Sequence, residues 1–447
     1  MSTSNSEIAR LIIYDVDSGP HPKWYLPSLI EEFDVHVLWG PGVSAARDRV
    51  RASIFDAFCA HTPLVSGPPV AEQIADFGRA WRVDGVVGFG ELAIIDVHSA
   101  AAELGLPANR PWAVEALRDK YRQRKLLAKV GIPVPRFAAV GDLDELQRAV
   151  ERVGAPAVLK PIAGVGSMAT YRVEETTDLA TLWDEACASF TSDARGSSTT
   201  GFVLEEFLVG VRRHGDARYG FQVSVESLVR DGRIIHLTVT DKLAMRRPFR
   251  EVADIMPSVL NRQDIEPLLA ATGEAIKALG ITDSAVHTEF MLTASGPRII
   301  EVNSRVGGGV TELLHYSHNF DIIKAMAIIA TGGELPAVPH PQQYAGFFTP
   351  QSPGADVVVD RAPTSERLRA LPGVREAETT VVRGDRPAWK RGTHGGTVAR
   401  LFATASSADE LLDLSTILDG EELFSYAPPE GASRRTHGDP HKPSWSE

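Results

Sequence analysis

The sequence predicts an α/β and α+β fold: a parallel-sheet unit first, a two-lobed core next and a small α+β unit last. Three observations carry this. Apolar runs of buried-strand type alternate with helix-like stretches near the N-terminus, the pattern of a parallel sheet covered by helices. Hairpin signals follow, at Asp231-Gly232 between two alternating runs and at Ser295-Gly296-Pro297 between two strand-like stretches. A Pro- and Gly-rich stretch at 331–343 then reads as a linker to a smaller unit. The expected boundaries are 1–108, 109–333 and 334–428, with lobes of the core at about 120–205 and 206–333. The charged, Pro-containing tail 429–447 is expected to be disordered.

At 447 residues the chain is long enough for several structural units and a large core. Hydrophobic content of 43% against 23% charged is that of a globular rather than a disordered chain. A formal net charge of -12 argues against general affinity for nucleic acid, whose phosphates are neutralised by basic patches. No apolar run approaches the ~20 residues that span a bilayer. The first residues, MSTSNSEIAR, have neither a basic start nor an apolar signal core. The only two cysteines, Cys59 and Cys187, read as packing residues rather than a disulfide or zinc framework. A cytoplasmic protein with neither nucleic-acid nor membrane partner is expected.

The elements follow in order. Ile8–Tyr14 and Val35–Trp39 are continuous apolar strands, Ser44–Cys59 is helix-like, and Val83–Gly90 is a strand ending in glycines. No G-x-G-x-x-G follows the first strand, so no dinucleotide site is expected in this unit. Glu91 and His98, just beyond, are candidates to line a cleft at the sheet's carboxyl end, although solvated surface is the favoured expectation. From Arg118 the chain becomes a basic helix, punctuated by Gly131 and Pro133. Lys120 and Arg124, four apart, share a face that reads as a solvated cationic one.

After a helix over Asp142–Val153, the strand Ala157–Lys160 runs into Pro161-Ile-Ala-Gly-Val-Gly-Ser-Met168. A lysine leaving a strand into such a loop suits a phosphate grip, because glycine lets backbone N–H groups approach an anion closely. The P-loop pattern is absent, since no Gly-Lys-Ser/Thr follows. Residues 191–201 are a polar, flexible stretch. The strand Phe202–Leu204 then runs into Glu205-Glu206-Phe207-Leu208, and the polar insert between Gly210 and Phe221 reads as a loop. Val223–Val229 and Ile234–Thr240 pair about Asp231-Gly232, and Asp264–Leu279 is a helix closed by Gly280.

The chain is organised around Ala285–Thr311, AVHTEFMLTASGPRIIEVNSRVGGGVT. One strand carries Glu289, a Ser-Gly-Pro turn follows, and the strand Arg298–Asn303 carries Glu301 and Asn303. Residues two apart on a strand share a face, so Glu301 and Asn303 project together, with Arg305 two further on if the strand continues. Pairing about the turn brings Glu289 to the same place. Three hard oxygen donors beside an arginine suit magnesium and a bound polyphosphate.

These pieces stand in the order of an ATP-grasp enzyme. Over most of its length the chain resembles the carboxylate–amine ligase branch of that superfamily, which includes the bacterial L-amino acid ligases. The resemblance rests on DKYRQRKLLAKVGIPVP, APAVLKPIAGVGS, FVLEEFLVG, FQVSVESLVRDG, HTEFML and EVNSRVGGG. It implies an ATP-grasp fold with an N-terminal parallel-sheet domain and the nucleotide between two lobes. Lys120 and Lys160 would then bind the α- and β-phosphates. The loop Ala163–Met168, with Gly164, Gly166 and Ser167, would close over them, and Glu205, Glu206, Phe207 and Leu208 would meet the adenine edge. The resemblance places Lys242 near the transferred phosphate and makes Glu289, Glu301 and Asn303 ligands of magnesium, for which manganese can substitute. Arg305 would steady the acyl phosphate and the tetrahedral intermediate, and Gly307, Gly308 and Gly309 would border the acceptor pocket with His287.

Two departures stand out. A ribose-binding acid usually follows the hinge glycine; here the insert intervenes, the aligned position is Gln222, and Glu226 is the other candidate. Biotin carboxylase, which resembles this chain at EVNSR, continues with a Glu-His pair where this chain has Val306-Gly-Gly-Gly309, which speaks against bicarbonate chemistry. The implied function is an ATP-dependent ligase that forms an amide or peptide bond through an acyl phosphate, releasing ADP and phosphate. Its partners would be a small carboxylate, an amino acid, and an amine, often a second amino acid; a homodimer is compatible with the resemblance. The alternatives are an ATP-grasp carboxylase-type or phosphotransferase enzyme, or an inactive nucleotide-binding regulator. Retention of both glutamates, Asn303, Arg305 and both lysines argues against the last.

Overall fold

The computed structural model describes residues 8–42, 44–164, 166–191 and 201–429; the expected tail and most of the polar stretch 191–201 lie outside them. The first unit is a parallel sheet of β1 (Arg10–Asp15), β2 (Asp34–Trp39), β3 (Ala60–Pro63) and β4 (Gly85–Val87), in the order β3-β2-β1-β4. Helices Pro22–Ile30, Ala45–Phe58 and Val70–Trp81 connect the strands. The helix read as Ser44–Cys59 begins one residue later because the Ser44 side chain accepts from the Arg47 N–H as its cap. The strand expected over Val83–Gly90 shrinks to β4, and the chain turns at its glycines into Glu91 and the helix Ile94–Glu103.

The first lobe of the core is an antiparallel sheet, β5 (Phe137–Val140), β6 (Ala157–Pro161), β7 (Tyr171–Val173) and β8 (Phe202–Glu206), ordered β5-β8-β6-β7. The basic helix spans Lys120–Lys129, starting after Arg118 because the Asp119 side chain accepts from the Arg122 N–H. A second, larger sheet holds β9 (Tyr219–Arg230), β10 (Arg233–Leu243), β11 (Ala253–Met256), β12 (Ser284–Thr293) and β13 (Gly296–Asn303). Its turn is Ala294-Ser295 rather than the Ser-Gly-Pro read from sequence. Gly296 opens β13 at φ 105, and the Thr293 hydroxyl donates to its carbonyl at 2.6 Å.

The remaining strands are β14 (Tyr344–Phe348), β15 (Val358–Arg361), β16 (Val374–Thr379), β17 (Ala399–Ala405) and β18 (Ser425–Ala427). Of these, β14, β17 and β16 extend the larger sheet, whose order is β13-β12-β9-β10-β11-β14-β17-β16. The stretch expected as a small C-terminal unit therefore shares its sheet with the core. One hydrophobic core likewise runs from Leu11, Tyr25 and Phe33 of the first unit through the apolar helix Ile322–Ala330 to Ala345. Each such side chain removed from water stabilises the fold by roughly 1.5–3 kcal/mol, so the first unit is seated on the core rather than tethered to it. Cys59 and Cys187 each pack against a core cluster, as expected. Among the described residues no helix is long and apolar enough to cross a membrane.

Candidate active site

The β12–β13 register places Glu289 opposite Glu301 and His287 opposite Asn303, while β9 places Glu226 opposite His287. Directly opposed residues share a face, so five polar side chains converge on one side of the sheet. His287 bridges two of them: Nδ1 lies 2.9 Å from Glu226 Oε1 and Nε2 lies 3.1 Å from Glu289 Oε1. Burial alone would lower its pKa, but Glu226 and then Glu289 overcome this and hold it at about 10. His287 is therefore an imidazolium at neutral pH, a donor rather than a base. Burial opposes the ionisation of Glu289, yet His287 and Lys242 hold its carboxyl well below the usual range. Glu226, one of the two candidates for the ribose contact, is committed to His287 and accepts from the Ser224 hydroxyl at 2.8 Å. Gln222 remains half-buried on β9 opposite Met291, beside Phe221, which packs on Gly210.

The basic helix is not the solvated face read from sequence. Gln123 and the Val302 backbone exchange two hydrogen bonds, at 2.8 and 2.9 Å, docking the helix on β13. Arg124, 1% exposed, lies 2.9 Å from Glu205 Oε1 and donates to the Ile300 carbonyl. On the other side of Glu205, Lys160 Nζ sits 2.9 Å from Oε2. The Glu205 side chain, expected at the adenine edge, thus spaces two cations. Glu206 pairs with Arg136 at 3.3 Å, and the Arg172 guanidinium covers the Phe207 ring at 4.4 Å. Leu208 follows, half-buried, where the chain leaves the first lobe.

Burial favours the protonated form of Glu205, but Arg124 and Lys160 prevail and hold it at about 2. A carboxyl depressed on folding contributes stability that is present above its ordinary value of 4.5 and lost as pH falls through about 2. Glu205→Gln is therefore expected to lower stability by about 3 kcal/mol at pH 7, with the gap closing between pH 4.5 and 2. Urea midpoints of both proteins across that range check this; a gap independent of pH would refute the charge assignment.

Lys120 faces the metal-type donors: Nζ lies 2.7 Å from Glu301 Oε1 and donates to the Gly164 carbonyl at 3.0 Å. It therefore links Glu301 to the Gly-rich loop, of which Val165 lies outside the described residues. Gly166 and Ser167 take positive φ, and their carbonyls rest on Gly392, where a Cβ would meet them at 2.7 and 2.8 Å. Gly392 itself holds φ 77 and ψ -160, a region open essentially to glycine alone. Gly392→Ala is expected to push the loop away and raise the KM for ATP about tenfold, on the scale of one strained residue. Unchanged ATP kinetics would show that this contact does not shape the loop.

Lys242, 4% exposed, lies 2.8 Å from Glu251 Oε1 and 3.2 Å from Asp254 Oδ1. Burial opposes its charge, but Asp254, Glu251 and Glu289 keep it fully protonated. Burial lifts Asp254 to about 6 even beside that cation. Arg305 departs from the sequence reading, because β13 ends at Asn303 and the backbone bends. Its guanidinium is directed instead by Glu91, whose Oε2 accepts from Nε at 2.8 Å, while Nη1 donates to the Val306 carbonyl at 3.0 Å. The charges of Glu301 and Glu289 also act on it, placing it beside the carboxylate pair.

Glu91 and His98 are thus not solvated surface. His98 accepts from the Asn109 N–H at 3.2 Å, burial lowers it to about 4, and Asn109 donates to Ser304 at 3.0 Å beside Arg305. Glycines complete the wall: a Cβ on Gly307 would lie 2.5 Å from His287 Nδ1, and one on Gly309 2.5 Å from the Phe347 ring, while Gly308 faces open space.

Two opposed carboxylates with a neighbouring amide oxygen are hard donors of the kind magnesium takes. Among the described residues no three His, Cys, Asp or Glu side chains form a metal cage. Both facts fit an ion that draws its remaining ligands from a polyphosphate and water.

The family model for the ATP-grasp domain matches residues 153–312, which include Lys160, Glu205, Lys242, Glu289, Glu301, Asn303 and Arg305. This chain contains an ATP-grasp domain. Alanine–anticapsin ligase of Bacillus subtilis strain 168 is 28% identical over 247 residues, 54% of this chain and 52% of that protein. Carnosine synthase 1 of Homo sapiens is 26% identical over 328 residues, 69% of this chain and 37% of that protein. The match spans about half of the first relative and less of the second. The crystal structure of L-amino acid ligase from Bacillus licheniformis superimposes with a TM-score of 0.73 at 19% identity, covering 95% of this chain and 100% of that one. The ATP-grasp fold therefore extends through the first unit and the C-terminal strands.

Proposed function

We propose that this chain is an ATP-dependent carboxylate–amine ligase, joining an amino acid through its carboxylate to an amine. The observation that supports this best is the convergence of Glu289, Glu301 and Asn303 with Lys120, Lys242 and Arg305 on one sheet face. The ligases among its relatives add weight. In this reading Lys120 and Lys160 grip the phosphates of ATP under the Gly-rich loop, with Glu205, itself anchored by Arg124, favouring the charge of Lys160 and fixing its position. Glu289, Glu301 and Asn303 would hold magnesium, which supplies charge neutralisation on the phosphates.

A carboxylate oxygen of the first substrate attacks the γ-phosphorus, the bond to ADP breaks, and an acyl phosphate results. Lys242 and Arg305 neutralise the transferring group. The amine nitrogen then attacks the acyl carbon, Arg305 stabilises the tetrahedral oxyanion, and phosphate departs with the amine's proton. The protein's work is positioning and exclusion of water, since no nucleophilic side chain is required. ADP release against amino acids singly and in pairs, with product mass, tests the reading. Amide product is the expected result. ADP without amide would indicate a phosphotransferase, and ATP binding without turnover on any carboxylate an inactive regulator.

A further inference from the structure

A row of side chains crosses the large sheet away from the carboxylate pair. Lys242 opposes Asp254, Asp254 opposes Phe347, Phe347 opposes Phe402, and Phe402 opposes Glu376. Opposed residues share a face, so one continuous surface leads from Lys242 through Asp254 across four strand spacings, about 19 Å, to Glu376. Its floor is aromatic: Phe347 and Phe402 stack with centroids 4.6 Å apart, and both remain partly exposed. The helix Val310–His318 lies over it, entering from Gly309 against Phe347. That helix supplies Tyr316, which tilts against Phe402 and donates to Glu376 at 2.6 Å. It also supplies Glu312, only 8% exposed.

Glu312 is without a counter-charge. Among the described residues neither it nor Glu376 forms an ion pair, and the only hydrogen bond of the Glu312 carboxylate is to its own backbone N–H. Arg375 is the neighbouring cation; it is exposed and spends its Nε on Thr404 at 2.8 Å. Burial, reinforced by Glu376, holds Glu312 up at about 7. An aromatic floor ending in two unpaired carboxylates is the chemistry that binds an organic cation, through ring quadrupoles and charge-assisted hydrogen bonds.

Resting on the ligase reading above, we infer that the amine substrate carries a second, unreactive ammonium or guanidinium group. Its reacting end lies by Gly308, its body crosses Phe347 and Phe402, and its distal cation sits between Glu312 and Glu376. The substrate class is a basic amino acid or a diamine, rather than a neutral amino acid.

Calorimetry on the full chain with Mg²⁺ and a non-hydrolysable ATP analogue tests this, pairing lysine with norleucine, arginine with citrulline, and diaminopentane with pentylamine. Each cation is expected to bind at least about tenfold tighter than its neutral counterpart, the scale of one charged hydrogen bond. The isosteric variants Glu312→Gln and Glu376→Gln should each shrink that ratio by about tenfold. Equal or undetectable binding of cation and neutral counterpart would overturn the proposal. So would variants that weaken both members of a pair alike. Amide synthesis is read separately. Product formation without cation preference removes the pocket and leaves the ligase; cation-selective binding without amide from any pair keeps the pocket and removes the ligase.

Discussion

Replacing Glu301 by alanine is expected to abolish turnover while leaving the fold intact. Glu301 stands opposite Glu289 in the register and holds Lys120 at 2.7 Å, so the variant removes one metal-type donor and releases the lysine proposed to grip the phosphates. In the proposed reaction, charge develops on the transferring phosphoryl group at that spot. Losing several kcal/mol of its stabilisation would lower the rate by roughly a thousandfold or more. Stability should change by less than about 1 kcal/mol, because Glu301 is half-buried at the sheet's end and Lys120 keeps the Gly164 carbonyl. ADP release and a urea midpoint, measured on one preparation, check both halves. Near-normal turnover at ordinary magnesium would end the metal assignment.

Arg305→Lys is expected to bind Mg-ATP within a few-fold of the natural chain yet form amide on the order of a hundredfold more slowly. The structure sharpens the reason. Glu91 occupies Nε and the Val306 carbonyl occupies Nη1, so the guanidinium is fixed at two points and can still present its remaining N–H groups. A lysine ammonium is a point donor on a flexible stem; it cannot keep Glu91 and hold two oxygens of an acyl phosphate in that plane. Calorimetry with ATP and product mass separate the two effects. Equal loss of both would make Arg305 a nucleotide-binding or structural residue.

The centre of the site was legible because its signals are local. Alternation along β12 and β13 with a turn between them was enough to bring Glu289 to Glu301 and to put Asn303 on the same face. A Gly-rich loop after Lys160 was likewise a short-range pattern. What escaped were partners chosen by the tertiary fold. A helical periodicity does not say which cationic face is buried, and Arg124 found Glu205 across 81 residues. Arg305 found Glu91 across 214, so the N-terminal glutamate, at most a cleft candidate in the sequence, gained its partner only where the sheet's carboxyl edge met the core.

The C-terminal strands were hidden for a related reason. Composition marked a linker at 331–343, but pairing of β14 with β11 is a contact between distant segments that no local pattern encodes. His287 lies against Gly307, while its charge depends on Glu226, a residue read from sequence as a weak ribose candidate.

The central claim is that a carboxylate takes the γ-phosphoryl group before the amine arrives. Turnover of an amino acid labelled with oxygen-18 in its carboxylate tests it directly, with mass analysis of the released phosphate. An acyl phosphate intermediate predicts one labelled oxygen in each phosphate formed alongside amide. Unlabelled phosphate accompanying amide product would contradict it.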